Sequence, residues 1–336
     1  MKLTPYLVAK LAYRFGTRIA KRSTRPHGFI LMYHRVASPT VDPWKISVSP
    51  QNFAGHMQAL SEMADVVPLQ ELPANLRKGR RSRPVAAVTF DDGYLDSLVS
   101  AKPVLDDLGI PATIFVPTGW IGDLRPMWWD RLAHSLLAPE VLPESLVLSS
   151  HGQDFSWQEP EVNRKDAVGR RARARVHRGV WSRMRGLADD DARHAVVDAL
   201  VSVLGTDEGP VGDARPLNRD ELRTLAADGR FEVGSHSVTH PTLPGLPSEA
   251  KASEIENSAK QFEEIFGRRP ATFAYPYGDL DDESVELVRE AGYSLACSTR
   301  EDLMWKGDDP HLLPRIHVGN WSAGEFRKRL GWYWLP

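Results

Sequence analysis

Cys297 is the single cysteine in 336 residues, so no disulfide can form within the chain. A reducing compartment fits that shortage. The thiol ends the apolar-leaning run Tyr293-Ser294-Leu295-Ala296-Cys297 and reads as a packed side chain rather than a nucleophile or ligand. No stretch is long and apolar enough to span a bilayer. No secretion signal is legible near the start: Lys10, Arg14 and Arg18 interrupt any apolar core, and no small-residue cleavage site follows. The formal net charge is −2, without the basic excess of a nucleic-acid binder, and no nucleic-acid partner is expected. Internal repeats and long low-complexity linkers are also missing.

What remains is ordinary globular composition, 42% hydrophobic and 26% charged, enough for one large domain or two modest ones. The charge is unevenly placed. Eight Lys and Arg residues, from Lys2 to Arg35, precede the first acidic residue, Asp42. On a helix, Lys10, Arg14, Arg18 and Arg22 form one stripe, and Val8, Leu11, Ala12, Phe15 and Ile19 an apolar one beside it. Residues 1–26 therefore read either as a helix packed on the domain with a solvated basic edge or as a segment lying on an anionic membrane. The expected location is cytoplasmic, with peripheral contact to the inner membrane through this segment as the variant.

Short apolar runs bounded by turn residues predict strands at Gly28–Tyr33, Val85–Phe90, Ala112–Val116, Phe231–Gly234 and Thr272–Tyr275, with weaker ones at Leu295–Cys297 and Ile316–Val318. Helical spacing is seen over Phe53–Met63, Leu95–Leu108, Ser253–Phe266 and Glu283–Ala291. Alternation of this kind implies a mainly parallel sheet, open or closed into a barrel. His34, Asp91, Asp92, His236 and Tyr277 each follow the C-terminal end of an apolar run, and those ends share one face of a parallel sheet. Between about residues 136 and 216 the rhythm changes to Arg-rich helical patterning containing Trp157 and Trp181. This reads as a mostly helical insertion that either caps the site or is a solvated excursion.

The chemistry concentrates in two short stretches. In Thr89-Phe90-Asp91-Asp92-Gly93, adjacent carboxylates repel and cost desolvation unless an ion takes one of them. Alone the stretch is also compatible with an exposed acidic turn. His236-Ser237-Val238-Thr239-His240 places two imidazoles at i and i+4, on one face of a helical turn that Pro241 ends. Two imidazoles with Asp92 form a set that suits Zn²⁺ with an open position, or Fe²⁺ in an oxygenase. The spare carboxylate, Asp91, favours hydrolysis, which needs a base beside an activated water. No feature for an oxygenase cosubstrate is present.

These two stretches, with Phe273-Ala274-Tyr275-Pro276-Tyr277-Gly278, resemble in order and spacing the motifs of the polysaccharide deacetylase (NodB-homology, carbohydrate esterase 4) family. The resemblance covers about residues 28–135 and 215–320. It implies a distorted (β/α) barrel with fewer than eight strands spanning residues 27–335, and hydrolysis of an N-acetyl group on an amino-sugar saccharide or lipid-linked glycan. It also implies Asp91 as general base, Asp92, His236 and His240 as ligands of a divalent metal such as Zn²⁺, and Tyr277 as a backbone donor to the oxyanion. Two departures matter. Ala274 stands where the family has an Arg that orients the base; Arg315 and Arg269 are the candidate substitutes. The catalytic acid is expected from the N-terminal Tyr33-His34-Arg35, as in the circularly permuted branch that resembles poly-N-acetylglucosamine deacetylases, with His317 as competitor. Alternation sets His317 opposite Ile316 and Val318, which predicts that it faces outward among the helices. Removal of an O-acetyl group, deacylation of a small or lipid-linked saccharide, and a non-catalytic carbohydrate-binding protein are the alternative readings.

Overall fold

The computed structural model describes residues 27–78, 83–187, 190–206 and 212–334. The basic segment 1–26 lies outside the described residues. Among the described residues thirteen strands are formed: β1 (His27–Tyr33), β2 (Arg35–Val36), β3 (Ser47–Val48), β4 (Asp65–Val66), β5 (Val85–Phe90), β6 (Ala112–Val116), β7 (Ser145–Ser150), β8 (Gln153–Gln158), β9 (Phe231–Ser235), β10 (Thr272–Ala274), β11 (Leu295–Cys297), β12 (Met304–Trp305) and β13 (Ile316–His317).

Seven of them run parallel in the order β11-β10-β9-β6-β5-β1-β13, with β4 also parallel on β5 and β12 antiparallel on β1. The two ends of this sheet meet. Residue Leu313, just before β13, forms a parallel bridge with Cys297 of β11. Leu313 N–H donates to Ala296 O at 2.9 Å, and Ser298 N–H donates to Leu313 O at 2.9 Å. The segment 313–317 is thus the seam that closes a distorted (β/α) barrel, as the family resemblance implied.

Closure gives each strand two buried faces. Phe29, Leu31, Tyr33, Val88, Phe90, Ile114, Val116, Ile316 and Val318 pack outward against the helices. Ile30, Ala87, Phe115, Ala274, Leu295, Cys297 and Leu313 fill the barrel interior. This is why the strands read as continuous apolar runs rather than alternating ones. Close packing also fixes glycines. A Cβ on Gly28 would lie 2.7 Å from Val85 O, so β1 and β5 can pair here only with glycine.

The helices begin and end on local signals. Ser49 caps Pro50–Met63 by accepting from Asn52 N–H, and Asn218 with Glu221 forms a capping box on Arg219–Ala226. Gly267 closes Ser248–Phe266 in the left-handed conformation. The helix expected over Leu95–Leu108 is less regular: a π-turn over Ser97–Ala101 precedes Lys102–Leu108. Just before it, the buried Asp96 accepts from Arg35 Nε–H and Val36 N–H, which ties that end to β2.

The region expected to be a mostly helical insertion contains helices Ala167–Arg185 and Asp190–Leu204, but also the antiparallel hairpin β7–β8. Both strands alternate by twos, with Phe155 and Trp157 buried in β8 and Leu146 and Leu148 half-buried in β7, a period that the helical reading of this stretch passed over. The insertion has its own core, where Phe155 and Trp157 pack with Val176, Val180 and Leu200. Among the described residues, no helix is long and apolar enough to cross a membrane.

Candidate active site

The site lies at the C-terminal mouth of the barrel. Asp91 follows β5 and is buried on its interior side. Asp92 then adopts φ +69° and Gly93 φ +69°. Two successive left-handed residues turn the chain so that both carboxylates face the mouth, which a continuing strand forbids. The turn is packed tightly: a Cβ on Gly93 would meet Val116 Cγ1 at 2.9 Å.

His236 and His240 are brought together, but not by the helical turn expected from their spacing. Residues 236–240 form an irregular loop with Ser237 at φ +65° and His240 at φ +54°. Polar side chains replace the missing helical hydrogen bonds. Glu254 accepts from Val238 N–H, Thr239 N–H and Thr239 Oγ1–H, each at 2.8–2.9 Å. Ser237 Oγ accepts from His240 N–H at 3.0 Å. From the insertion, the buried Arg193 donates to Thr239 O at 3.1 Å.

His236 Nδ1–H donates to Ala274 O at 2.7 Å, which leaves Nε2 as a lone pair. That nitrogen lies 3.2 Å from His240 Nε2. Asp92 Oδ1 is 3.6 Å from the first and 3.4 Å from the second. Metal–nitrogen bonds of about 2.0–2.1 Å in a tetrahedral centre set two ligand nitrogens about 3.3 Å apart. Burial, then the neighbouring His236, pushes His240 well below the ordinary histidine range, which favours its neutral form. The residues present therefore fit a divalent cation, and among the described residues they are the one such cluster of three.

Asp91 has a different partner. Arg315, fully buried in the seam, donates Nη1–H to Asp91 Oδ1 at 2.6 Å and Nη2–H to Oδ2 at 2.7 Å. Nη1 also donates to Thr89 Oγ1, and Nε to Ser298 O. Burial raises the Asp91 carboxyl, but the guanidinium more than offsets it and holds the group down at about 2. Of the two candidates for the missing family arginine, the structure places Arg315 on Asp91. Arg269 sits on the surface with Glu256 and Glu263.

His34 Nε2 lies 4.0 Å from Asp91 Oδ2, and His34 lines the cavity. His317 is not where alternation was taken to put it. Ile316 and Val318 do face a core, but it is the core between sheet and helices. The opposite face is the barrel interior, so His317 points to the mouth, its ring 6.1 Å from His34. It lines two neighbouring grooves with Trp321 rather than the Asp91 cavity.

Tyr277 follows β10 with φ +59° and packs its ring 4.4 Å from that of His240. The cavity, about 260 Å³, is lined by His34, Asp91, Asp92, His236, His240 and Tyr277. Trp44, Trp129, Trp181 and Arg185 also line it, and none of these four was singled out as a site residue by sequence. Trp181 stood in the insertion; Trp157, flagged beside it, instead donates to Pro143 O within the insertion's own core.

A closed parallel barrel whose strand ends gather two carboxylates and two histidines in one cavity has the layout of a hydrolase site. The sequence pattern of the polysaccharide deacetylase family matches residues 78–157 and 193–296, more than half of the chain, and the chain belongs to that family. It is an enzyme, a carbohydrate deacetylase. YxkH of Bacillus subtilis (strain 168) is 20% identical over 297 residues, 88% of this chain and 72% of that one. The poly-beta-1,6-N-acetyl-D-glucosamine N-deacetylase of Staphylococcus aureus (strain N315) is 24% identical over 121 residues, 34% of this chain and 42% of that one. Among solved structures, IcaB from Ammonifex degensii superposes with a TM-score of 0.57 at 18% identity, covering 92% of this chain and 97% of that one. The Streptococcus pyogenes deacetylase PplD, in complex with acetate, gives 0.56 at 16% identity, covering 91% and 98%. These likenesses show the fold.

Proposed function

We propose that the protein hydrolyses the N-acetyl group of an amino sugar in a saccharide or lipid-linked glycan, using one divalent metal. The observation that carries this is the pairing of a buried carboxylate, Asp91, fixed by Arg315, with a separate three-ligand set within the same cavity. Two carboxylates side by side thereby have different partners and different tasks.

Asp92, His236 and His240 would hold the metal; Zn²⁺ suits two imidazoles and a carboxylate. Bound there, such an ion supplies Lewis acidity to an acyl oxygen and lowers the pKa of water. The chain's own residues supply the proton transfers. Asp91 accepts the proton of the attacking water as its oxygen bonds to the acetyl carbon. Arg315 holds both carboxylate oxygens in one plane, so the base needs no reorientation. His34 donates a proton to the nitrogen as the C–N bond breaks, releasing acetate and the free amine. Without that proton an amine is a poor leaving group. Backbone N–H of Tyr277 is the proposed oxyanion donor, set at the mouth by its left-handed turn.

The test is mass spectrometry of N-acetylated amino-sugar substrates after incubation with zinc-loaded protein. Loss of one acetyl mass with appearance of a free amine supports the reading; loss with appearance of a free hydroxyl makes the enzyme an O-acetyl esterase; no loss with any such substrate overturns it.

A further inference from the structure

The cavity has a roof, and the insertion provides it. Helix Ala167–Arg185 crosses the mouth and is fastened on both sides. On one side, Trp181 packs against Trp44 of the β2–β3 loop, ring centroids 4.5 Å apart at 46°. His177, one turn earlier, meets the same Trp44 ring at 5.5 Å. On the other side, the last residue of the helix, Arg185, donates Nε–H to Thr242 Oγ1 at 2.8 Å and pairs with Asp279. Its guanidinium also lies 4.5 Å over the Tyr277 ring. The last turns of the helix therefore bridge the loop after β2 to the loops after β9 and β10, along the rim of the cavity that Asp91 and Asp92 line.

An interior unit of a polymer needs room for a neighbouring sugar on each side of the reacting one. An open groove provides that; a bridged one does not. The cavity of about 260 Å³ is at or below the small end of ligand pockets, roughly 300–1,000 Å³. Its walls are aromatic: Trp44, Trp129, Trp181 and Tyr277 line it. Indole faces of this kind take the apolar face of one sugar ring.

From this geometry we propose that the enzyme deacetylates a single amino-sugar unit, free-standing or at a chain end, and not the interior units of a polymer. This rests on the deacetylase reading above and narrows its substrate class. Trp44 and Trp181 are then specificity-determining residues contributed by two segments outside the barrel strands.

The experiment compares the methyl glycoside of N-acetylglucosamine with a β-1,6-linked pentamer, both with zinc-loaded full-length protein, and maps acetyl loss along the pentamer by tandem mass spectrometry. Wild type is expected to deacetylate the methyl glycoside and one terminal unit of the pentamer. Trp44→Ala/Trp181→Ala should extend acetyl loss to interior units and raise the pentamer-to-monosaccharide ratio of kcat/KM by about tenfold, the change that one lost steric or stacking contact makes. Trp181→Leu, which keeps apolar bulk in the helix, should show the same direction more weakly and guards against misfolding of the double variant. Interior acetyl loss by wild type, or an unchanged positional pattern in both folded variants, overturns the roof while leaving the deacetylase reading intact. Absence of acetyl loss from both substrates overturns this proposal, and absence from every N-acetylated amino sugar overturns the deacetylase reading as well.

Discussion

Arg315 and Asp91 meet through two parallel N–H···O bonds across 224 residues of sequence, and neither side chain is exposed. The fork matches the carboxylate in a way a lysine cannot. It also makes a trade. The carboxylate stays ionised, ready to accept a proton, but its basicity falls, so orientation is what the arginine adds to the reaction.

Replacing the fork by a point charge should separate orientation from charge. Arg315→Lys is expected to fold and bind metal, yet to lose about 10–100-fold in kcat with little change in KM. Arg315→Ala strands a buried carboxylate and should cost about 3–5 kcal/mol of stability. Steady-state kinetics and urea unfolding check both. A lysine variant with wild-type kcat would show that Asp91 needs no bidentate partner.

Asp91→Asn should retain metal and lose most turnover, by about 10²–10⁴-fold, because an amide cannot take the proton. It should also be less stable than wild type, since Arg315 then keeps its charge in the barrel without a carboxylate. Metal content, turnover and melting temperature are measured on one preparation. Turnover within a few-fold of wild type would remove Asp91 from the role of base.

His236→Ala and His240→Ala should each lose metal and activity together, and a chelator should abolish wild-type activity with recovery on adding Zn²⁺. The readout is metal per chain by elemental analysis beside the rate. Stoichiometric metal in the double variant would refute the ligand assignment.

The choice between His34 and His317 turns on the leaving group. An amine requires a proton to depart, and an activated phenolate does not. His34→Ala should therefore cut amide hydrolysis far more than hydrolysis of an aryl acetate. His317→Ala should change the two equally or not at all. Since both rings face the barrel mouth, the reverse pattern would assign the acid to His317.

His177 gives a pH signature of folding. Burial, and then the nearby Arg178, brings its pKa down to about 4 in the folded protein, against about 6.5 unfolded. Between those values the unfolded chain binds a proton that the folded one does not. Its contribution is complete above pH 6.5 and is lost progressively as pH falls toward about 4. The stability difference between wild type and His177→Phe should thus shift against wild type by up to about 1.4 kcal/mol per pH unit within that window. Urea titrations at several pH values measure it; a pH-independent difference would mean that His177 is protonated in the folded state.

Much of the barrel was readable because parallel strands buried on both faces leave unbroken apolar runs such as Val85–Phe90. The polar residue after each run then marked the mouth. Local geometry was less readable. The spacing of His236 and His240 suggested a helix, whereas Glu254, on a different element, holds an irregular loop. Facing was misjudged for His317, because one-core alternation does not distinguish the inside of a barrel from its helix-covered outside. Arg315 could be named but not placed, since its position depends on which strand closes the ring. The aromatic wall of Trp44, Trp129 and Trp181 left no periodic signal, as contacts between distant segments set it, whereas the hairpin β7–β8 alternates by twos inside a stretch read as helical.

The seam has a consequence for the order in which the enzyme becomes competent during synthesis. Asp91, Asp92, His236 and His240 have all been made before residue 315 is reached. A growing chain can therefore hold the proposed metal ligands while the proposed base still lacks a fixed direction. Alignment arrives with the segment that pairs β11 to β1, because the same five residues, 313–317, both shut the barrel and carry the guanidinium. Under the proposed mechanism hydrolytic power is thus coupled to ring closure: a barrel opened along that seam would keep Asp92, His236 and His240 and lose the aim of Asp91.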